Sequence, residues 1–168
     1  MTLSMTLPPA RTPGRYRIGL VCLGNICRSP MADVVLAAKV VDAGLADVIE
    51  VASCGTAGWH VGKPMDPRSA ATLTRAGYDA TRHRARQYDD GWAHEHDVLL
   101  AMDHQNLADL GGRSARVMLF GDLDPLQGGA EVPDPYYGGD AGFEEVLRMV
   151  ERTTTEIVSE VRKSLPTP

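Results

Sequence analysis

Four short apolar runs are spaced along this sequence, and the segments between them carry the signals of helices. The runs are IGLVC within residues 15–22, VIEVAS at 48–53, DVLLAM at 97–102 and RVMLF at 116–120. DVLLAM in particular is a short continuous apolar run of the sort found in strands covered on both faces, as in a parallel sheet. In PMADVVLAAKVVDAG, Pro30 stands in a first helical turn and Gly44 is a stop. In MDPRSAATLTRAGY, Asp66 is placed as N-cap, Pro67 as first helical residue and Gly77 as stop. Asp103 can cap a short helix through HQNLADL, ended by Gly111 and Gly112. From about Gly142, the residues Phe143, Val146, Leu147, Val150, Ile157, Val158 and Val161 recur on one face of a long helix. Strands alternating with helices predict an α/β domain with a parallel sheet.

The chain has 168 residues, enough to bury a core without disulfide or metal staples. Its three cysteines, few and odd in number, favour a reducing compartment and hence the cytoplasm. A net charge of −5 offers no basic excess that would suit nucleic acid or an anionic membrane. No segment approaches the roughly 18 apolar residues of a membrane span, and the opening MTLSMTLPPARTPGR lacks the apolar core of a signal peptide. With its three prolines it reads as a disordered tail over residues 1–14, followed by a folded domain over 15–163 and a C-terminal tail over 164–168.

The stretch VCLGNICRSP places Cys22 at the carboxyl end of the first strand, where open parallel sheets bind ligands. Five residues separate it from Arg28, and a helix starts close behind. A helix N-terminus presents unpaired N–H groups and a partial positive charge, so a loop curled in front of it is a ready anion site. Gly24 and Asn25 can take the positive φ angles that turn successive N–H groups inward as a nest. Arg28 adds a planar fork for two oxygens of a phosphate. The same surroundings favour the thiolate of Cys22, the nucleophilic form. A nucleophile inside an anion cradle points to attack on the phosphorus of a bound phosphate monoester.

VCLGNICRSPMA resembles the signature of the low-molecular-weight protein tyrosine phosphatases, and VPDPYYGG, residues 132–139, resembles their acid-bearing loop. AGWHVGKPMDPRS, HRARQ and LLAMDHQNLADL resemble family stretches in the expected order, so the likeness spans most of residues 15–162. It implies one three-layer α/β domain, with a four-stranded parallel sheet in the order 2-1-3-4 flanked by helices and the phosphate loop after the first strand. It also implies Cys22 as nucleophile, the N–H groups of Leu23, Gly24, Asn25, Ile26, Cys27 and Arg28 as phosphate cradle, and Arg28 as clamp. Ser29 either donates to the sulfur or simply caps the helix before Pro30. Cys27 either forms a protective disulfide with Cys22 or fills a small buried space.

A phenol leaves with a pKa of about 10, so breaking its bond to phosphorus calls for a proton donor. Asp134, directly before Pro135, Tyr136 and Tyr137, is the family-like candidate; Asp124 in DLDP shares the same long loop and is the decoy. In the family, aromatics such as Trp59, Tyr136 and Tyr137 wall a deep cleft that an aryl ring fills and a short seryl phosphate cannot. The implied partners are phosphotyrosine-containing proteins, with phosphate and other oxyanions as inhibitors; no cofactor or metal is called for. GWHVGKP is one residue short of a nucleotide-binding loop, and HEH at 94–96 matches no zinc pattern.

Three rivals share part of this chemistry. An arsenate reductase with an internal thiol relay needs a downstream cysteine pair, and no cysteine follows Cys54; one resolved by an external thiol stays open. A protein-arginine phosphatase tends to carry threonine where Ile26 stands. A module that captures phosphotyrosine without turnover has no need of nucleophile, clamp and acid together.

Overall fold

The computed structural model describes residues 6–165. The elements run β1 (Tyr16–Cys22), α1 (Arg28–Asp42), β2 (Ile49–Gly55), α2 (Pro67–Arg75), α3 (Asp90–His94), β3 (Val98–Ala101), α4 (His104–Asp109), β4 (Val117–Leu119), a 3-10 turn (Phe120–Leu123) and α5 (Asp140–Ser164). The strands form one sheet in the order β2-β1-β3-β4, parallel throughout, as the sequence implies. Among the described residues, no helix is long and apolar enough to cross a membrane.

Alternation along β1 divides the layers. Tyr16, Ile18, Leu20 and Cys22 face the main core, which they share with Met31, Val35 and Leu36 of α1 and Phe143, Val146, Val150 and Ile157 of α5. Val21 faces the other side, where Trp92 of α3, Cys54 and Leu99 form a smaller cluster. A Cβ on Gly19 would lie 2.8 Å from the Trp92 ring, so this glycine lets the indole lie against the sheet. Because Cys22 ends the strand on the main-core side, its sulfur emerges where α1 begins.

Several boundaries differ from the sequence reading. Helix α1 starts at Arg28, two residues before Pro30, so Arg28 and Ser29 belong to its first turn. Strand β2 runs on to Gly55, and the fourth strand yields to the 3-10 turn at Phe120. The five residues of α3 are too few to show a period, although Asp89 caps them by accepting from the Trp92 N–H at 2.8 Å.

Part of each expected tail falls within the described residues. Residues 1–5 and 166–168 lie outside the described residues, but residues 7–12 are laid along the domain. Leu7 and Ala10 pack on the core, the Arg11 N–H donates to Asp97 Oδ1 at 2.6 Å, and the Tyr16 hydroxyl donates to the Pro8 carbonyl at 2.8 Å. Arg116 donates to the Pro9 carbonyl at 2.8 Å. Prolines offer carbonyl acceptors but no N–H, and the domain supplies the matching donors. At the other end Ser164 closes α5 and Leu165 packs on the core.

Candidate active site

Where β1 ends, residues 22–28 curl in front of α1 and form the floor of a cleft of about 150 Å³. Leu23, Gly24, Ile26, Cys27 and Arg28 line it beside Cys22, with Trp59, His60, Asp134, Tyr136 and Tyr137 as walls. Among the described residues, the N–H groups of these five floor residues have no protein acceptor. They border the cleft next to a helix N-terminus, an arrangement that receives an oxyanion.

Asn25 fixes the loop from behind. It is fully buried and takes the left-handed conformation, φ 57°, that asparagine tolerates better than most residues. Its N–H donates to Cys22 Sγ at 3.3 Å, and its side-chain amide donates to Ser29 Oγ at 2.9 Å and Ser53 Oγ at 3.0 Å. Its Oδ1 accepts from the Arg86 N–H at 2.9 Å, and its carbonyl accepts from His83 Nε2 at 2.7 Å. Burial pushes the His83 imidazole pKa down, which suits a neutral ring donating this bond. Gly24, by contrast, has no positive φ.

Ser29 Oγ lies 2.9 Å from Cys22 Sγ. The Asn25 amide donates to this hydroxyl, whose own hydrogen can turn to the sulfur or to the Cys54 carbonyl at 3.5 Å. Asn25 and Ser29 therefore approach the Cys22 sulfur from the protein side, and neither lines the cleft. The alternative role of Ser29 as N-cap is not observed: Cys27 occupies that position, without a side-chain cap.

Arg28 is buried, with its guanidinium tethered at Nη1 to Asp103 Oδ2 at 2.6 Å and to the Val132 carbonyl at 3.0 Å. Its Nη2 lies 3.6 Å from Asp134 Oδ2. Asp134 in turn accepts from the Tyr136 N–H at 3.1 Å, so a short turn aims its carboxylate across the cleft. The decoy Asp124 is elsewhere, buried and gripped by both ends of the Arg152 fork at 2.9 Å. Trp59 is 69% exposed and Tyr137 93%, while Tyr136 meets Tyr137 edge to face with ring centroids 4.9 Å apart. They form a rim around the mouth.

Two other cysteines lie nearby. Burial, with help from the Asp66 carboxylate, pushes the Cys27 thiol up to about 12, and burial with the neighbouring Cys22 charge pushes Cys54 up as well. All three cysteines are free. The sequence reading missed His60, whose ring lies against Gly24, and the tether from Asp103 to Arg28. His60 followed Trp59 in a stretch already matched to the family; Asp103 was visible only as a helix cap.

A parallel α/β sheet that presents a cysteine and an arginine in one loop before a helix N-terminus is the architecture of a class of phosphate-handling enzymes. The family model of the low molecular weight phosphotyrosine protein phosphatases matches residues 17–167, and the chain belongs to that family. It is 44% identical over 158 residues to a low molecular weight protein-tyrosine-phosphatase of Streptomyces coelicolor, covering 89% of this chain and 96% of that protein. It is 38% identical over 139 residues to the human low molecular weight phosphotyrosine protein phosphatase, covering 79% and 87%. The crystal structure of a protein tyrosine phosphatase from Entamoeba histolytica superposes with a TM-score of 0.83 at 28% identity, covering 88% of this chain and 97% of that one.

Proposed function

We propose that the chain hydrolyses the phosphate monoester of phosphotyrosine in proteins through a phosphocysteine on Cys22. The observation that carries the reading is Cys22 Sγ, at the floor of the cleft, accepting from the Asn25 N–H and lying 2.9 Å from the Ser29 hydroxyl, while Asp134 faces Arg28 across the same space. Two donors stabilise a negative sulfur, both before attack and when it leaves.

In the first step the sulfur lone pair forms the S–P bond as the P–O bond to the aryl group breaks. Asp134 delivers its proton to the departing phenolate oxygen, giving tyrosine. The free loop N–H groups and Arg28 hold the three equatorial oxygens as charge develops on them. In the second step water attacks phosphorus, Asp134 takes its proton, and the S–P bond breaks to return the thiolate and release inorganic phosphate. Every group involved is a protein side chain or backbone amide. The aromatic rim sets the depth, so a phosphorylated aryl ring reaches Cys22 and a short seryl phosphate does not.

Inorganic phosphate and related oxyanions fit the same cradle and act as inhibitors. We assign the reaction to the cytoplasm on the strength of three free thiols. The acidic net charge argues against nucleic acid or an anionic membrane as partner. The test is phosphate release from phosphotyrosine, phosphoserine and phosphoarginine in the presence of a chelator, for the wild type and Cys22→Ser. Turnover of phosphotyrosine alone, lost in the variant, supports the assignment. Tight binding without turnover makes the chain a capture module.

A further inference from the structure

Between the phosphate loop and the acid loop stands a side chain that the reaction scheme above does not use. Arg68, in the first turn of α2, closes its Nε and Nη2 on the Asp66 carboxylate at 3.1 and 2.9 Å. Asp66 is itself tied to the phosphate loop, its N–H donating to the Ile26 carbonyl at 2.9 Å. The other side of the guanidinium meets the acid loop. Its Cζ lies 5.5 Å from the Tyr136 ring centroid and 4.7 Å from that of Phe143, and Nη1 donates to the Gly138 carbonyl at 3.4 Å. Among the described residues, this is the one hydrogen bond that reaches residues 133–138 from outside their own turn.

We infer that Arg68 is the positioning residue that sets the acid loop, and with it Asp134, at its working distance from the phosphate loop. The inference rests on the phosphatase reading of the cleft. The turn from Asp134 to Gly138 is internally braced by two bonds, Tyr136 N–H to Asp134 Oδ1 at 3.1 Å and Gly138 N–H to the Pro135 carbonyl at 3.0 Å. It therefore moves as a unit, and Arg68 grips that unit at both Tyr136 and Gly138. A planar guanidinium can hold a carboxylate edge-on and stack on an aromatic face at once, which an ammonium cannot. Arg68 touches no reacting atom. Its effect passes through the distance over which Asp134 gives its proton.

A misplaced acid injures only those reactions that need a proton, which separates positioning from general structural damage. The experiment measures kcat/KM, which reports the first chemical step, on phosphotyrosine and on an aryl phosphate whose phenol is strongly acidic. Arg68→Met should lower kcat/KM about 10-fold or more on phosphotyrosine and less than about 3-fold on the activated ester. In an Asp134→Asn background, where no proton remains to be placed, Arg68→Met should cost less than about 2-fold further. Arg68→Lys keeps a charge beside Asp66 and so protects the cap of α2; it should show the same selectivity at an unchanged melting temperature. Equal losses on both esters, an undiminished loss in the Asp134→Asn background, or no loss at all would overturn the inference. If Arg68→Met fails to fold, Arg68→Lys decides the matter by the same ratio. A wild type that turns over neither ester is a different result, and it removes the phosphatase reading itself.

Discussion

Asp103 divides its carboxylate between two tasks: Oδ1 accepts from the Asn106 N–H at 2.7 Å and caps α4, while Oδ2 holds Arg28 Nη1 at 2.6 Å. The helix cap thus fixes the Arg28 guanidinium, because the same carboxylate serves both. Arg28 is buried, and a buried guanidinium without a counter-charge is strongly disfavoured.

Asp103→Asn keeps an oxygen for the Asn106 N–H and removes the nearer of the two carboxylate charges facing Arg28, leaving Asp134 at 3.6 Å. The expected outcome is a fall in kcat/KM of about 10- to 100-fold from a displaced fork, with the helix content by circular dichroism unchanged. A variant with wild-type kcat/KM would show that the Val132 carbonyl and the Asp134 carboxylate suffice to hold Arg28.

Gly55 carries the floor of the site from below. A Cβ there would lie 2.6 Å from the Leu23 carbonyl oxygen and 3.0 Å from the Asn25 N, both backbone atoms of the phosphate loop. Gly55→Ala must push that loop, at a cost of about 1–3 kcal/mol in urea unfolding and with loss of most activity. Gly44→Ala is the control: its left-handed φ of 73° strains any Cβ, yet nothing lies within 4 Å of it. That variant should lose about 1 kcal/mol of stability and keep full kcat, so equal activity losses in the two would sink the argument.

Much of this arrangement was legible in the sequence because it rests on local rules. The strand-loop-helix around Cys22 and the placement of Asp66 and Asp103 as caps each follow from residues within a few positions of one another. The sheet order and Asp134 came with the family resemblance. What could not be read are the long-range ties. Asn25 looked like a turn residue, and nothing near it in sequence announces that its side chain meets Ser53 and the Arg86 N–H, which lie 28 and 61 residues away. The N-terminal prolines read as a tail because their partners, Tyr16 and Arg116, are matched only in three dimensions.

The cysteines should react unequally. Cys27 is pushed up to about 12 and Cys54 is also raised, so both are protonated thiols at neutral pH. Iodoacetate at pH 7 should therefore inactivate with about one equivalent incorporated, on Cys22, and inorganic phosphate should protect by filling the anion cradle. Peptide mapping of the labelled protein checks this; label on Cys27 or Cys54 at the rate of inactivation would contradict it.

Asp124 supplies a pH dependence of stability that is separate from catalysis. Burial opposes its ionisation, but the Arg152 fork and the N–H groups of Leu126 and Gln127 outweigh burial and hold the carboxyl below its ordinary range. A carboxyl whose folded pKa is depressed binds its proton more readily when unfolded. Its stabilisation is complete above the unfolded value of about 4 and is lost as the pH falls toward the lower folded value. Asp124→Asn leaves Arg152 without its counter-charge and should destabilise by about 2–4 kcal/mol at pH 7. The gap to the wild type should hold constant down to about pH 5 and narrow progressively below about pH 4, as protonation makes the wild-type carboxyl resemble the amide. Urea midpoints for both proteins between pH 7 and pH 3 measure it. A gap that stays constant to the acid end would mean that the pair stabilises by packing and neutral hydrogen bonds, with no contribution from the charge of Asp124.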